Sequence, residues 1–369
     1  MNANIRPLDP AERVDSVSTT STTSTTSTSA DCLLDYPANG ALMQDGQPLF
    51  GRWPKPPKQI RPQDFDHLTP FGQPASRLRR HLGFKQFRFV SINSPDVMIG
   101  LAMVDLAWAG HGFLYLYDHR AGRRLSVQNT RPLAYHTRLN PSPYYGTSDF
   151  RSKPLTLEIN QRQAKRRVRA WQQRRLCLDV TIDQRACQPL ALCSPTGATG
   201  WTYTQKATAM PMVGMLDWDG YQFDLGTPEW SAATDDSCGV LRYVTAWHWL
   251  SLSTVLVDGR RLGLNLATGV NDGFGTENTL WLDGQPLELP PVLFKRIDAE
   301  TWQIYSADGR VNLHVHTYSC HQDSTNALVV ASHFHQWVGL VSGDVCLPNG
   351  QMLTWSAKLG LLEQHYARW

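Results

Sequence analysis

Reversals of direction constrain this chain more than any other feature. Asp258-Gly259, Asp283-Gly284 and Asp308-Gly309 recur every 25 residues, with Asp219-Gly220 before them and Asn349-Gly350 after. Asp-Gly and Asn-Gly favour the tight type I′ turns of β-hairpins, because both central residues of that turn need positive φ. Between the turns the side chains alternate. Trp247 and Trp249 fall on one face of their strand, and Asn265 points opposite to Leu264 and Leu266 on the next. No helix of ordinary length has a 3.6-residue apolar stripe in this half. The pattern predicts antiparallel strands of about ten residues, as in up-and-down barrels.

The first half reads the same way. KQFRFVSI (85–92) alternates Phe87 and Phe89 against Gln86 and Arg88. VMIGLAMVDLAW (97–108) and HGFLYLYD (111–118) flank a turn at Ala109-Gly110, and Arg120-Ala121-Gly122 turns into RRLSVQ. These connections are too short for a crossover helix, which predicts a β-meander. LTLEI and LCLDVTI then flank a basic run of Arg162, Lys165, Arg166, Arg167, Arg169, Arg174 and Arg175, interrupted by Trp171. Basic residues mixed with an aromatic are one way to track a phosphate backbone. The alternating flanks instead predict a solvated hairpin whose aliphatic stems cover apolar surface. Net charge is only 35 − 32 = +3 and no second basic stripe exists, so no nucleic-acid partner is expected.

Charged residues are 18% of the chain against roughly 25% in an average soluble protein, while aromatics reach 10%, which favours β structure over a helical bundle. Residues 16–29, SVSTTSTTSTTSTS, have nothing to bury, so 1–31 is expected to be a disordered tail. A Pro- and Gly-rich irregular lead-in follows over 32–82, with Trp53 and Phe50 as anchors. Ser194-Pro195 and the glycines around it mark a seam within 188–212, which predicts two bodies over 83–207 and 208–369. The seven cysteines include no CxxC pair, the first residues hold no apolar signal core, and no run approaches the ~18 apolar residues of a membrane span. A soluble cytoplasmic protein without a transmembrane segment is expected.

Several motifs carry a family resemblance. These are Trp247-His248-Trp249, GLNLATG (263–269), Thr276-Glu277-Asn278, LWLDG (280–284), the terminal GLLEQHYARW (360–369), and Trp201 to Lys206 followed by Pro211 and Gly214. In these the chain resembles a mainly bacterial family described as domain of unknown function 2804. The resemblance implies an all-β fold of two tandem lipocalin-like antiparallel barrels, similar to carotenoid hydratases and related cyclases. It implies no catalytic residue, because the family has no established activity. His316 and the histidines around Phe334 lie outside the motifs that carry it.

The residues themselves offer three sites. Trp247, Trp249 and Trp281 are candidate indole walls of a cavity for a hydrophobic small molecule, of lipid or isoprenoid class, in the second barrel or at the seam. The plainer alternative for the first two is core packing. Glu277, just past Gly273-Phe274-Gly275, is the candidate acid of a cofactor-free hydratase, isomerase or cyclase, with Asn265 and Asn278 as orienting groups. Its alternative is a salt-bridged Glu beside an Asn that serves backbone groups. His314, His316, His333 and His335 form two H-x-H pairs on strands that read as hairpin neighbours, where four imidazoles facing one way would bind zinc, iron or copper unless a one-residue slip set the pairs on opposite faces. No metal or cofactor is expected. Glu363 and His365 share a strand face, either as an acid/base pair or in a closing strand.

Overall fold

Strand alternation has sorted the side chains into three apolar layers. The computed structural model describes residues 40–273, 275–327 and 330–369, and the Ser/Thr tail over 1–31 lies outside them. The fold is all-β and antiparallel throughout its three large sheets. The lead-in holds two-residue pairings, a 3-10 turn at Pro62–Asp64 and one short helix, Arg77–Gly83, begun by Ser76 accepting from the Arg79 N–H. Trp53 is buried in it, as an anchor would be.

The first body faces an eight-stranded sheet against a seven-stranded one. The meander forms one half of the larger sheet: Phe84–Asn93, Val97–Asp105, Ala109–Asp118 and Arg123–Pro132 lie side by side, the last at the edge. Beyond Phe84–Asn93 come Ser231–Val240, Gly200–Met210 and Leu190–Thr196. Val90, Ile92, Ile99, Leu101, Leu114 and Leu116 point inward and meet Leu157, Val168, Leu178 and Val180 of the smaller sheet. The basic run forms hairpin strands of that smaller sheet. Its outer charges are matched by Arg167–Asp179, Arg169–Glu158 and Arg175–Asp217 pairs. Arg166 departs from the solvated face and is fully buried on Asp236.

The second body is a nine-stranded sheet curled around Leu250, Leu252, Leu264, Leu266, Leu313 and Trp355. Three of its strands, Val311–Ala327, Val330–Cys346 and Met352–Arg368, run 17 residues each, well past the length expected from turn spacing. The turns also divide into two kinds. Asp219-Gly220 and Asp283-Gly284 have positive φ at both residues, as a type I′ turn requires. At 259, 309 and 350 only the glycine does, and its N–H bonds back to the carbonyl three residues earlier, so these loops are longer by one residue.

The larger sheet of the first body is covered on both faces. Met98, Ala102, Phe113, Tyr115 and Tyr117 point away from the first core and pack on Trp249, Ala267, Val338, Leu359 and Leu361 of the second body. A strand buried on two faces is apolar in succession, which is why VMIGLAMVD has no polar face. The change from one sheet system to the next falls between Val240 and Val244, not at 207/208, because Gly200–Met210 pairs with Ser231–Val240.

Asp236 ties the first body together from Ser231–Val240, a central strand of the larger sheet. It lies between Arg88 and Arg166, both buried. Burial alone would push its carboxyl up, but the two guanidinium groups outweigh burial and hold it below the ordinary range. That stability is present above the unfolded carboxyl value and is lost as pH falls through the lower folded one. Asp236→Asn leaves two buried cations uncompensated. It is expected to cost about 3–5 kcal/mol in urea unfolding at pH 7, with the deficit narrowing in acid.

Candidate functional site

The two bodies do not close completely on each other. Between them lies a cleft of about 270 Å³. Strand register explains its walls, because residues opposite each other in neighbouring strands share a face. In the second body Ala267, Trp249, Glu363, Gln336 and His321 form one row across five strands. The next row is Trp247, His365, Phe334 and Asp323. The first body supplies Lys206, Asp235, Phe89, Ala102 and Phe113, then Thr204, Ser237, Phe87, Val104 and His111. Most members of these rows line the cleft, and His321 lies buried behind its wall against Phe113 and Tyr115.

Two buried carboxylates enter the cleft with different partners. Glu277 bonds Lys206 Nζ through Oε1 at 3.1 Å and accepts from Asn271 Nδ2 through Oε2 at 2.9 Å. Lys206 also meets Asp235 Oδ2 at 2.8 Å, and its ammonium lies 5.4 Å from the centre of the Trp249 ring. Burial alone would drive this lysine down, but Asp235 and Glu277 outweigh it, so the ammonium stays charged. Burial pushes the Glu277 carboxyl up while Lys206 pulls it back.

Glu363 has no such cation at its side. Its Oε1 accepts from Trp247 Nε1 at 2.7 Å and its Oε2 from Gln336 Nε2 at 2.8 Å. Burial pushes its carboxyl up to about 7, against those two donors; Asp235 adds to the rise and Lys206, farther off, opposes it. The Gln336 amide is itself fixed from across the seam, because Tyr115 Oη donates to its Oε1 at 2.7 Å. Gly100 makes room for that tyrosine, since a Cβ there would overlap its ring. His365, two residues on, lies with its ring 4.2 Å from that of Trp247 and bonds Ser332 Oγ through Nε2 at 2.9 Å. Burial drives its imidazole down to about 3, so it is neutral.

The sequence-derived candidates divide accordingly. Trp247, Trp249 and Glu277 line the cleft. Both tryptophans stand on the outward face of the second body, so their cavity is the seam and not the barrel interior. Trp281 does not line it: the indole is packed in the first core and donates to the Gln188 carbonyl at 2.8 Å. Asn265 stands behind the wall, accepting from Trp249 Nε1 at 2.6 Å and donating to the Glu277 carbonyl at 2.9 Å. Asn278 serves backbone groups, the Ala267 N–H and the Pro290 carbonyl. The strands that carry the two H-x-H pairs are hairpin neighbours, but the pairs do not stand opposite each other. His314 and His316 oppose Ser342 and Leu340, whereas His333 and His335 oppose Ser324 and Gln322. No group of three or more metal-ligating side chains gathers among the described residues. The sequence did not point to Gln336, Tyr115 or Lys206. Only their strand alternation was visible, and that names a face without saying what covers it.

A family model described as domain of unknown function 2804 matches residues 42–369. No curated protein matches the sequence. Among solved structures, a protein assigned as AttH from Nitrosomonas europaea is similar at 13% identity and a TM-score of 0.45, over 77% of this chain and 92% of that one. Kievitone hydratase from Nectria haematococca is similar at 9% identity and 0.43, over 77% and 88%. CghA is similar at 10% identity and 0.46, over 78% and 88%. No helix among the described residues is long and apolar enough to cross a membrane.

The Glu363 environment makes a stability prediction with a definite sign. Its folded value lies above the ordinary carboxyl value, so its contribution is intact below the unfolded value of ~4.3 and is lost as pH rises through about 7. Glu363→Gln has no charge to bury. Between pH 5 and pH 8 the variant is expected to gain about 2–3 kcal/mol on the wild type in urea unfolding. A constant difference across that range would show that the carboxyl titrates normally.

Proposed function

The chain belongs to the domain of unknown function 2804 family, and from the geometry of the cleft we propose that it binds an apolar small molecule at the seam and catalyses proton transfer to and from it. The observation that carries this reading is Glu363, a buried carboxyl in an aromatic cleft, held at both oxygens by uncharged donors. A group whose value lies near 7 supplies both acid and base at neutral pH. Glu277 and its lysine are read as a fixed polar corner, with Asn265 and Asn278 as groups that hold its loop.

The chemistry is that of hydration, isomerisation or ring closure. The Glu363 proton passes to one carbon of an alkene, whose π pair becomes the new C–H bond. Positive charge develops on the neighbouring carbon, beside the Trp247 and Trp249 rings, which favour a cation over their faces. The carboxylate left behind then takes a proton, either from a water that adds to the cation or from the adjacent carbon. The six described cysteines are all unpaired, which supports a reducing, cytoplasmic setting.

Incubated in D₂O with a panel of small alkenes and unsaturated ketones, the protein is expected to place deuterium on carbon. Glu363→Gln is expected to slow this by about 10²–10⁴-fold. A carboxyl-labelled NMR titration is expected to give Glu363 a midpoint near 7. A midpoint between pH 4 and 5, or exchange at the wild-type rate in the variant, would remove the acid/base reading.

A further inference from the structure

Polar groups stand at several places around the cleft, Glu363, Gln336, His365, His111 and Asp323 among them, but its lysine lies in a single cluster. Lys206, Asp235, Glu277 and Asn271 gather at one corner, while Phe87, Phe89, Val104, Phe113, Trp249 and Phe334 make apolar wall. The corner is built and buried: Lys206 and Glu277 are 5% and 4% exposed. Within it Lys206 gives one N–H to Asp235 and one to Glu277. An ammonium carries three donors, so one remains for a guest. Two carboxylates against one ammonium leave the corner without surplus positive charge, so an anionic head meets repulsion that a neutral oxygen does not.

Size limits the guest as well. The cleft volume of about 270 Å³ falls just under the ~300–1,000 Å³ usual for drug-sized ligands. At interior packing density a methylene occupies on the order of 25 Å³, so the space holds about ten carbon atoms. We infer that the seam selects a compact neutral amphiphile, with an apolar body of about ten carbons and one uncharged oxygen acceptor, hydroxyl or carbonyl, docked on Lys206. This names the substrate class for the cleft proposed above and rests on that reading for its place. It does not depend on Glu363 as the acid. Among lipids, the charged fatty acids are thereby excluded.

A series of straight-chain probes tests it without turnover. By titration calorimetry, 1-hexanol to 1-decanol is expected to tighten about fourfold per added carbon, and 1-dodecanol to gain nothing further. Decanoate is expected to bind at least tenfold more weakly than 1-decanol. Ala267→Phe, which fills the cleft, is expected to abolish binding of the alcohol. Lys206→Gln, which keeps an N–H donor, is expected to weaken the alcohol without favouring decanoate over it. Decanoate binding as tightly as 1-decanol, continued tightening at 1-dodecanol, or no binding of 1-decanol would each overturn the inference. Loss of alcohol binding with Glu363 still titrating near 7 defeats the substrate class alone. Intact alcohol binding with unchanged deuterium exchange in Glu363→Gln defeats the acid/base reading alone.

Discussion

The eight-stranded sheet has apolar layers on both sides at its centre, and this double burial governs where charge can be placed. A charged side chain on such a sheet has no water to turn to and must be paired within the fold. Asp235 and Asp236, adjacent on one strand, point to opposite faces and meet this demand in different ways. Asp236 faces the first core and binds Arg88 and Arg166. Asp235 faces the seam and binds Lys206. One dipeptide thus anchors the inner ion cluster of the first body and the polar corner of the cleft.

The contrast between Glu277 and Glu363 follows from the same constraint. Both are buried and both reach the cleft. Lys206 binds Glu277 directly, whereas Glu363 receives only an indole and an amide N–H. A neutral donor stabilises a carboxylate less than an adjacent ammonium does, so burial dominates at Glu363 and leaves it near 7. A buried carboxyl is therefore not enough to identify an acid; what lies within hydrogen-bond reach decides its role.

Much of the fold could be read from the sequence, because alternation and turn chemistry are local. The meander over 84–132, the β hairpins of the second half, the shared face of Trp247 and Trp249, and the opposite face of Asn265 all rest on neighbours in the chain. What could not be read was long-range pairing. Nothing local says that Ser231–Val240 pairs with Phe84–Asn93, which carries the first sheet system on to Val240. Glu277 stood out in the sequence because it follows a glycine-rich loop, yet its character is set by Lys206, 71 positions away. Glu363 and His365 were legible as neighbours on one face, but the covering face of the first body, with Tyr115, was not. The H-x-H pairs show the limit most plainly: spacing within each pair is local, and the hairpin register that separates them is not.

The 17-residue strands finally explain why a cleft exists at all. Their inner ends wrap the second core, and their outer ends extend across the first body, where Arg124 reaches the Cys320 carbonyl and Tyr115 reaches Gln336. Glu363 lies on this extension, so its burial depends on the two bodies remaining in contact. Opening the seam would hydrate the carboxyl and remove the main cause of its raised value. An apolar guest acts in the opposite direction, since it excludes water from the same wall and favours the protonated form. Occupancy and acidity are thereby linked: the ligand that needs a proton is also the one that keeps the proton on Glu363 until it can be delivered.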